Sequence, residues 1–367
     1  MGMASKSVKS LLIVVFSIFS LLFSTGSLAN ETPQKEGEAA GNHEAAAFDP
    51  AKLIMEHIMD AHEFHFFSLG ETHVSIPLPV ILYAPDRGGF SVFSYGKFHH
   101  GHEVYNGFKS EEGKIVAVNE AGEVDEAVKV YDFSLTRNVV QMFLALTLLL
   151  VLMIGVANKY KKNGAKVAPS GFQNAIEPVF TFVRDEVGKP NLGHAYEKFM
   201  PYLLTVFFFI LINNLVGLIP GSANVTGNIA FTLVLGVISF LVILFSTNRH
   251  FWAHIFNPPV PGFVKPILVP VEFLGIFTKP FALIVRLFAN MVAGHIVITC
   301  FVMLIFIFGA MSKVAGWGFA PVSLVFTIFI YFIEILVAFI QAFIFTNLTA
   351  VFIGQSMEGA HHEEAHH

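Results

Sequence analysis

The sequence predicts an all-α polytopic membrane protein: about five membrane-embedded helices, the last two long and strongly tilted, plus an amphipathic interfacial helix. An N-terminal extracytoplasmic extension containing a small β-hairpin precedes them. Three observations carry this. Charged residues make up 13% of the 367-residue chain and hydrophobic residues 54%, whereas a soluble protein carries roughly 25% charged residues. Long stretches lack charge altogether, one of them running from Phe199 to Asn248. Basic residues are also unevenly placed, with seven Lys and Arg in Ala157–Lys198 and Lys313 alone in the short loops assigned to the other side. That bias orients membrane helices. The net charge of −5 offers no electrostatic case for a nucleic-acid partner. The one cysteine, Cys300, lies in an apolar span and supports neither a disulfide framework nor a thiolate metal site.

Residues 1–29 read as a signal peptide. Lys6 and Lys9 form the charged start, Leu11–Phe23 the apolar core, and Ser27-Leu28-Ala29 a small-residue cleavage site. A retained first membrane helix is the alternative. Residues 30–136 form the extracytoplasmic extension, beginning with polar Asn30–Ala47. Leu53, Ile54, Ile58, Phe64 and Phe67 have helical spacing and predict a surface helix over Phe48–Phe67. His57, His62 and His65 fall within it and are read as surface histidines, because nothing nearby completes a metal site. Lys114–Asn119 and Glu123–Tyr131 alternate about a turn at Glu120–Gly122. They predict a hairpin too polar to cross a membrane.

Residues 137–357 form the membrane domain. Val139–Val156 is the first span and ends at basic Lys159, Lys161 and Lys162, which marks the cytoplasmic side. Ser170–Val187 carries Phe172, Ile176, Val179, Phe180 and Val183 on one face and is too polar to span, so it is assigned to the cytoplasmic interface. Phe199–Ile219 and Asn228–Thr247 form a helical hairpin joined by the uncharged outer loop Gly221–Asn228. Asn257–Pro270, with five prolines, is a loop. Val271–Phe308 and Trp317–Gln355 are then 38 and 39 residues long, where about 20 suffice to cross. Each must tilt, kink or be split. Residues 358–367 are a cytoplasmic tail whose histidines could bind metal adventitiously.

Arg286 is the anomaly in the first long segment. No Asp, Glu, Lys or Arg occurs in Leu287–Ser312, so the guanidinium lies deep in the membrane. It cannot be neutralised by losing a proton, and placing it mid-bilayer costs about 2.5–3.5 kcal/mol on insertion scales. Such a cost implies a partner, a water-filled cavity or a task. Arg286, Asn290 and Gly294 share one helical face, with His295 beside it roughly 13 Å further outward by helical rise. On the second long helix Glu334 and Gln341 share a face, with Glu334 about 10 Å outward. If Gln341 stands opposite Arg286 and offers its carbonyl, His295 and Glu334 meet at similar depth. Glu272 marks the inner mouth, and Asn290 is assigned in projection between mouth and middle. Imidazole titrates near neutrality and a carboxylate can pass protons on. The constellation therefore suits stepwise proton transfer past a fixed cation.

Arg286–Gly294 (RLFANMVAG), the preceding Lys279-Pro280 and Gln341–Leu348 (QAFIFTNL) resemble subunit a of the F-type ATP synthase. The resemblance spans roughly Arg137–Met357, including the PGSANVTGN loop and the NPP loop. It implies that Arg286 is the essential cation facing the carboxylate of the c-ring, with Asn290 and Gln341 beside it. His295 and Glu334 would be the access-channel pair and Glu272 the cytoplasmic mouth. In some members the acid and the histidine exchange places. It further implies two offset aqueous half-channels, a bacterial inner-membrane location, and partnership with the c-ring and the peripheral-stalk b subunits, without a cofactor. The chain has no GxxxxGK[ST] phosphate loop of its own. Two other readings stay open: a self-contained transporter or channel, although no second copy of the arginine segment is found, and a scaffold whose polar residues only join helices.

Overall fold

The computed structural model describes residues 60–357 apart from 70–71, 88, 99–102, 112, 120–121, 126, 165–170, 220 and 259. The expected signal segment, His57 and the tail at 358–367 lie outside the described residues.

The extension is built of short antiparallel ribbons. Glu63–Leu69 (β1) pairs with Thr72–Pro77 (β2). The surface helix expected to reach Phe67 is therefore a strand from Glu63 onward. Its aromatic residues favour the pleated surface that pairing with β2 provides, and this outweighs the helical spacing. Pro79–Ala84 (β3) lies between Gly89–Ser94 (β4) and, further along the chain, a short strand at Tyr131–Asp132. Phe108–Glu111 (β5) pairs with Lys114–Ala117 (β6), and Tyr131–Asp132 is β7. The hairpin thus differs from the expected one. Lys114–Ala117 folds back on the preceding strand, across a turn in which Gly113 takes φ +80°. The downstream run meets it at a Val118–Val124 bridge. Val80, Leu82, Phe98, Phe108, Ile115 and Ala117 form the core of the extension.

His62 is buried, at 5% exposure, not on the surface. Its Nε2 lies 2.9 Å from Asp132 Oδ2 and its ring stacks on Tyr95 at 5.6 Å. Burial alone would push the Asp132 carboxyl up. The hydrogen bonds from His62 and from the Ser134 hydroxyl and N–H outweigh it and hold the group below the usual carboxylate range. Burial pushes the Tyr95 phenol up.

The extension is fastened to the first membrane helix, Arg137–Asn163 (α1). The Arg137 N–H donates to Ala61 O (2.8 Å) and the Asn138 N–H to Asp60 Oδ1 (3.2 Å). Asp60 thereby supplies an acceptor and a negative charge to the open N-terminus of α1. Asn138, Gln141, Ala145 and Leu149 form the buried stripe of α1, spaced three and four apart as one helical face requires. Phe143, Leu144, Leu150, Val151 and Ile154 are exposed, as lipid-facing residues are.

Phe172–Phe182 (α2) continues through a π-turn, Val183–Gly188, towards Tyr196–Gly217 (α3). Ile176, Val183 and Val187 are buried in this run while Phe172 and Phe180 are exposed, the half-covered face of an interfacial helix. Ile229–Phe245 (α4) returns the chain, and a short helix, Arg249–Phe256 (α5), follows. Lys265–Met311 (α6) and Lys313–Met357 (α7) each run as one continuous helix. Lys265–Pro270, expected as loop, is the first part of α6. Pro266 occupies the first turn, where its missing N–H costs nothing, and Pro270 and Pro280 are carried inside the helix. Among the described residues, four helical runs are long and apolar enough to cross a membrane, beginning at Arg137, Phe172, Lys265 and Lys313. The shorter apolar α4 is the fifth membrane-embedded helix. By helical rise α6 spans roughly 70 Å, more than twice a hydrocarbon core of about 30 Å.

α7 packs against both α6 and α3, and α4 against α6. Gly236 of α4 lets Ile284 of α6 into close contact, and Gly354 of α7 admits the carbonyl of Asn191. α1 begins at the extension, and α7 ends at the opposite end of the bundle. There the Asn248 N–H donates to Ser356 O at 3.2 Å.

Candidate functional site

α6 and α7 run antiparallel, and their contacts fix a register. Gly316 approaches the backbone of Gly309. Ser323 Oγ donates to Phe301 O, and the Phe301 and Phe326 rings stack at 5.5 Å. Further from the extension, Lys279 Nζ donates to Gln355 Oε1 (3.0 Å) and lies 5.1 Å from the centre of the Phe352 ring. Between these points the Glu334 carboxyl group sits over Gly294. A Cβ on Gly294 would lie 2.1 Å from Glu334 Oε1 and 2.3 Å from Cδ. Glu334 is 7% exposed and Gln341 4%.

The structure therefore brings Glu334 against the residue next to His295. His295 is half-buried, and its Nε2 is enclosed with no hydrogen-bond partner among the described residues. Interpolating between the Gly294–Glu334 and Lys279–Phe352 contacts places Arg286 within about one helical turn of the level of Gln341. Arg286 and Asn290, however, are exposed on α6 while Gln341 is buried, and no hydrogen bond joins Arg286 to Gln341. Asn290 also lies one turn from Arg286 on the Gly294 side, not between Glu272 and Arg286, because α6 runs towards the extension. Glu272 is half-buried near the far end of α6, roughly 21 Å from Arg286 by helical rise, and is not gathered with the others. Among the described residues no group of three or more His, Cys, Asp or Glu is placed to hold a metal ion.

A second polar system, missed in the sequence, lies beside this one. The loop between α3 and α4 is folded into the bundle: Ala223, Val225 and Thr226 are at most 1% exposed. Gln141 of α1 grips Ala223 at both backbone groups, accepting its N–H at Oε1 (2.6 Å) and donating to its carbonyl. Asn224 Nδ2 donates to Met291 O of α6 (3.2 Å), and Thr226 Oγ1 to Asn214 Oδ1 (2.7 Å). Asn214 Nδ2 reaches Ala338 O of α7 at 3.4 Å. Backbone that is not helical survives at membrane depth only when protein satisfies its polar groups, and these contacts do so. The available signal was Gln141, Asn213 and Asn214, uncharged polar residues in apolar spans that need partners.

A polytopic bundle of long apolar helices, with a carboxyl group buried between the last two and a permanent cation exposed on one of them, defines an integral membrane protein. Residues 139–354 match the family described as ATP synthase A chain, and residues 53–133 match a domain of unknown function. ATP synthase subunit a of Chloroherpeton thalassium is 44% identical over 324 residues, covering 87% of this chain and 81% of the relative. ATP synthase subunit a 2 of Prosthecochloris aestuarii is 38% identical over 374 residues, covering 100% of this chain and 97% of the relative. Subunit a of Chlorobium phaeobacteroides is 37% identical over 355 residues, covering 96% and 86%. The chain belongs to the ATP synthase A chain family, the membrane stator subunits of F-type ATP synthase.

Proposed function

We propose that this chain carries protons to and from the carboxylates of a rotating c-ring, coupling the proton gradient to ATP synthesis without binding nucleotide itself. Its orientation is extension outside and residues 358–367 in the cytoplasm of a bacterial inner membrane, with peripheral-stalk b subunits holding it still. The observation that carries this reading is the division of α6 into two environments. His295, with Glu334 of α7 seated over the neighbouring Gly294, is turned into the bundle, on the path we assign to the proton. Arg286 is turned out, where only a partner can meet it.

Protons enter on the extension side through His295 and Glu334 and reach the ring carboxylate near Arg286. Because guanidinium keeps its proton, Arg286 holds that carboxylate ionised as it passes and separates the two half-channels. Asn290 and Gln341 are polar neighbours that orient water and the carboxylate there. Glu272 serves the cytoplasmic mouth. Domain limits follow the same division: 1–29 signal, 30–136 extension, 137–357 proton path, 358–367 tail.

The test is ATP-driven acidification of inverted vesicles, parent against Arg286→Ala, with co-purification of ring and soluble head as the check on assembly. Pumping lost with the complex intact is the expected result. Pumping retained overturns the reading.

A further inference from the structure

We propose that Arg137 is a positioning residue of the outer proton path: its guanidinium is the fixed charge set against His295, and Asp60 of the extension counterbalances it. The inference rests on the reading that His295 and Glu334 carry protons on that side.

The placement comes from the buried loop. Gln141 of α1 holds Ala223, and the next residue, Asn224, holds Met291 of α6. The loop thus bridges α1 and α6 at one level. α1 runs away from the extension and α6 runs towards it. One turn from the bridge towards the extension therefore leads to Arg137 on α1 and to His295 on α6. Both are turned inward: Arg137 is 8% exposed and His295 Nε2 is enclosed. The Arg137 N–H donates to the carbonyl of Ala61 at 2.8 Å, which sets Asp60 beside Arg137. Asp60 is itself fixed by accepting the Asn138 N–H at 3.2 Å. Other ionisable groups on this side include Glu334, over Gly294, Tyr331, half-buried one turn from Glu334 on the same face of α7, Cys300 further along α6, Lys313 at the start of α7, and Glu63, His62 and Asp132 of the extension.

A guanidinium cannot relay a proton. A permanent charge beside a titratable imidazole nevertheless sets how readily that imidazole takes up and releases one. Arg137 and Asp60 thus form a graded pair, one charge of each sign, acting on the first proton-carrying side chain. Through them the extension, which is remote from Arg286, takes part in transport. Its fastening to α1 places a carboxylate at the channel mouth.

The experiment uses the complete synthase in inverted vesicles. ATP synthesis at a constant imposed gradient is titrated against the pH of the compartment facing the extension. Arg137→Gln is expected to move the midpoint by about one pH unit, and Asp60→Asn to move it in the opposite direction. Arg137→Lys, which keeps the charge, is expected to leave it near the parent value. Shifts in the same direction, or no shift in either variant of an assembled complex, overturn the inference. If Arg137→Gln does not assemble, Asp60→Asn decides alone, and an unmoved midpoint refutes. Arg286→Ala in the same vesicles tests the underlying reading separately, because pumping retained there fails that reading whatever Arg137 does.

Discussion

Replacing Gly294 by alanine is expected to uncouple transport while leaving the protein folded. The added Cβ would lie 2.1, 2.3 and 2.4 Å from Glu334 Oε1, Cδ and Oε2, whereas ordinary contact begins near 3.4 Å. The carboxyl group must therefore retreat by about 1.3 Å, the difference between 3.4 and 2.1 Å. These three nearest atoms all belong to the free end of one side chain, so neither helix has to move. A strained rotamer costs about 0.5–1.5 kcal/mol, too little to dissolve the bundle. Function is less forgiving, since a reacting group displaced by about 1 Å can lose on the order of 100-fold in rate. We expect ATP-driven acidification to fall at least roughly 10-fold by the same argument, with normal amounts of assembled complex. Parent-level pumping in the assembled variant would refute the idea that the seat of Glu334 on Gly294 matters.

Three further outcomes follow from the same contacts. Gly236→Ala would drive a Cβ to 2.2 Å from Ile284 Cγ1 and 2.6 Å from Cδ1. This overpacks α4 against α6 at a cost of about 1–3 kcal/mol, so the melting temperature of the purified complex should drop, and an unchanged one argues against the close contact. Gln141→Ala leaves the buried N–H and C=O of Ala223 unpaired at about 1–3 kcal/mol each. Hydrogen exchange at the Ala223 amide should rise roughly 10-fold or more, and parent-like protection would show the loop to be held otherwise. Asp132, whose carboxyl is depressed in the folded extension, contributes stability that is fully present above roughly pH 4 and is lost as pH falls through its folded value. Limited proteolysis should show the parent extension becoming more susceptible in acid. Asp132→Asn should show higher susceptibility already at neutral pH, by about 1–2 kcal/mol, and little further change; equal acid sensitivity would contradict the assignment.

The helices were readable because their physics is local. A run such as Phe199–Asn248 without charge admits few structures other than membrane helix, whereas the face expected to be shared by Arg286, Asn290 and Gly294 is divided: Arg286 and Asn290 are exposed and Gly294 is buried under Glu334, because eight residues of helix drift about 80° from exact register. The antiparallel order of α6 and α7 then sets which levels coincide, and the seat of Glu334 over Gly294 follows that order. What could not be read depends on partners distant in sequence. Gly221–Asn228 is small and polar, the composition of a solvent loop. Gln141 and the Met291 carbonyl, both many residues away, turn it inward together with Asn214 of the preceding helix. In the extension, Lys114–Ala117 had alternating runs on both sides, and alternation does not say which neighbour pairs. His62 looked like one of three surface histidines, since Asp132, 70 residues later, gave no sign of being its partner. From Glu63 onward, helical spacing was also matched by aromatic content suited to a strand, and pairing with β2 decided between them.

The inward loop has an electrical consequence. Its polar backbone penetrates to Met291, five residues and roughly 8 Å along α6 from Arg286. The adjoining α4 has 17 residues, about 25 Å of helix, short of a hydrocarbon core of about 30 Å. Polarisable groups at that depth bring the high-dielectric region down towards the arginine, so the membrane voltage does not fall evenly across the whole thickness. On the side of the extension the fall is displaced inward, past the level of Met291, and a unit charge crossing the full potential exchanges about 2.3 kcal/mol per 100 mV.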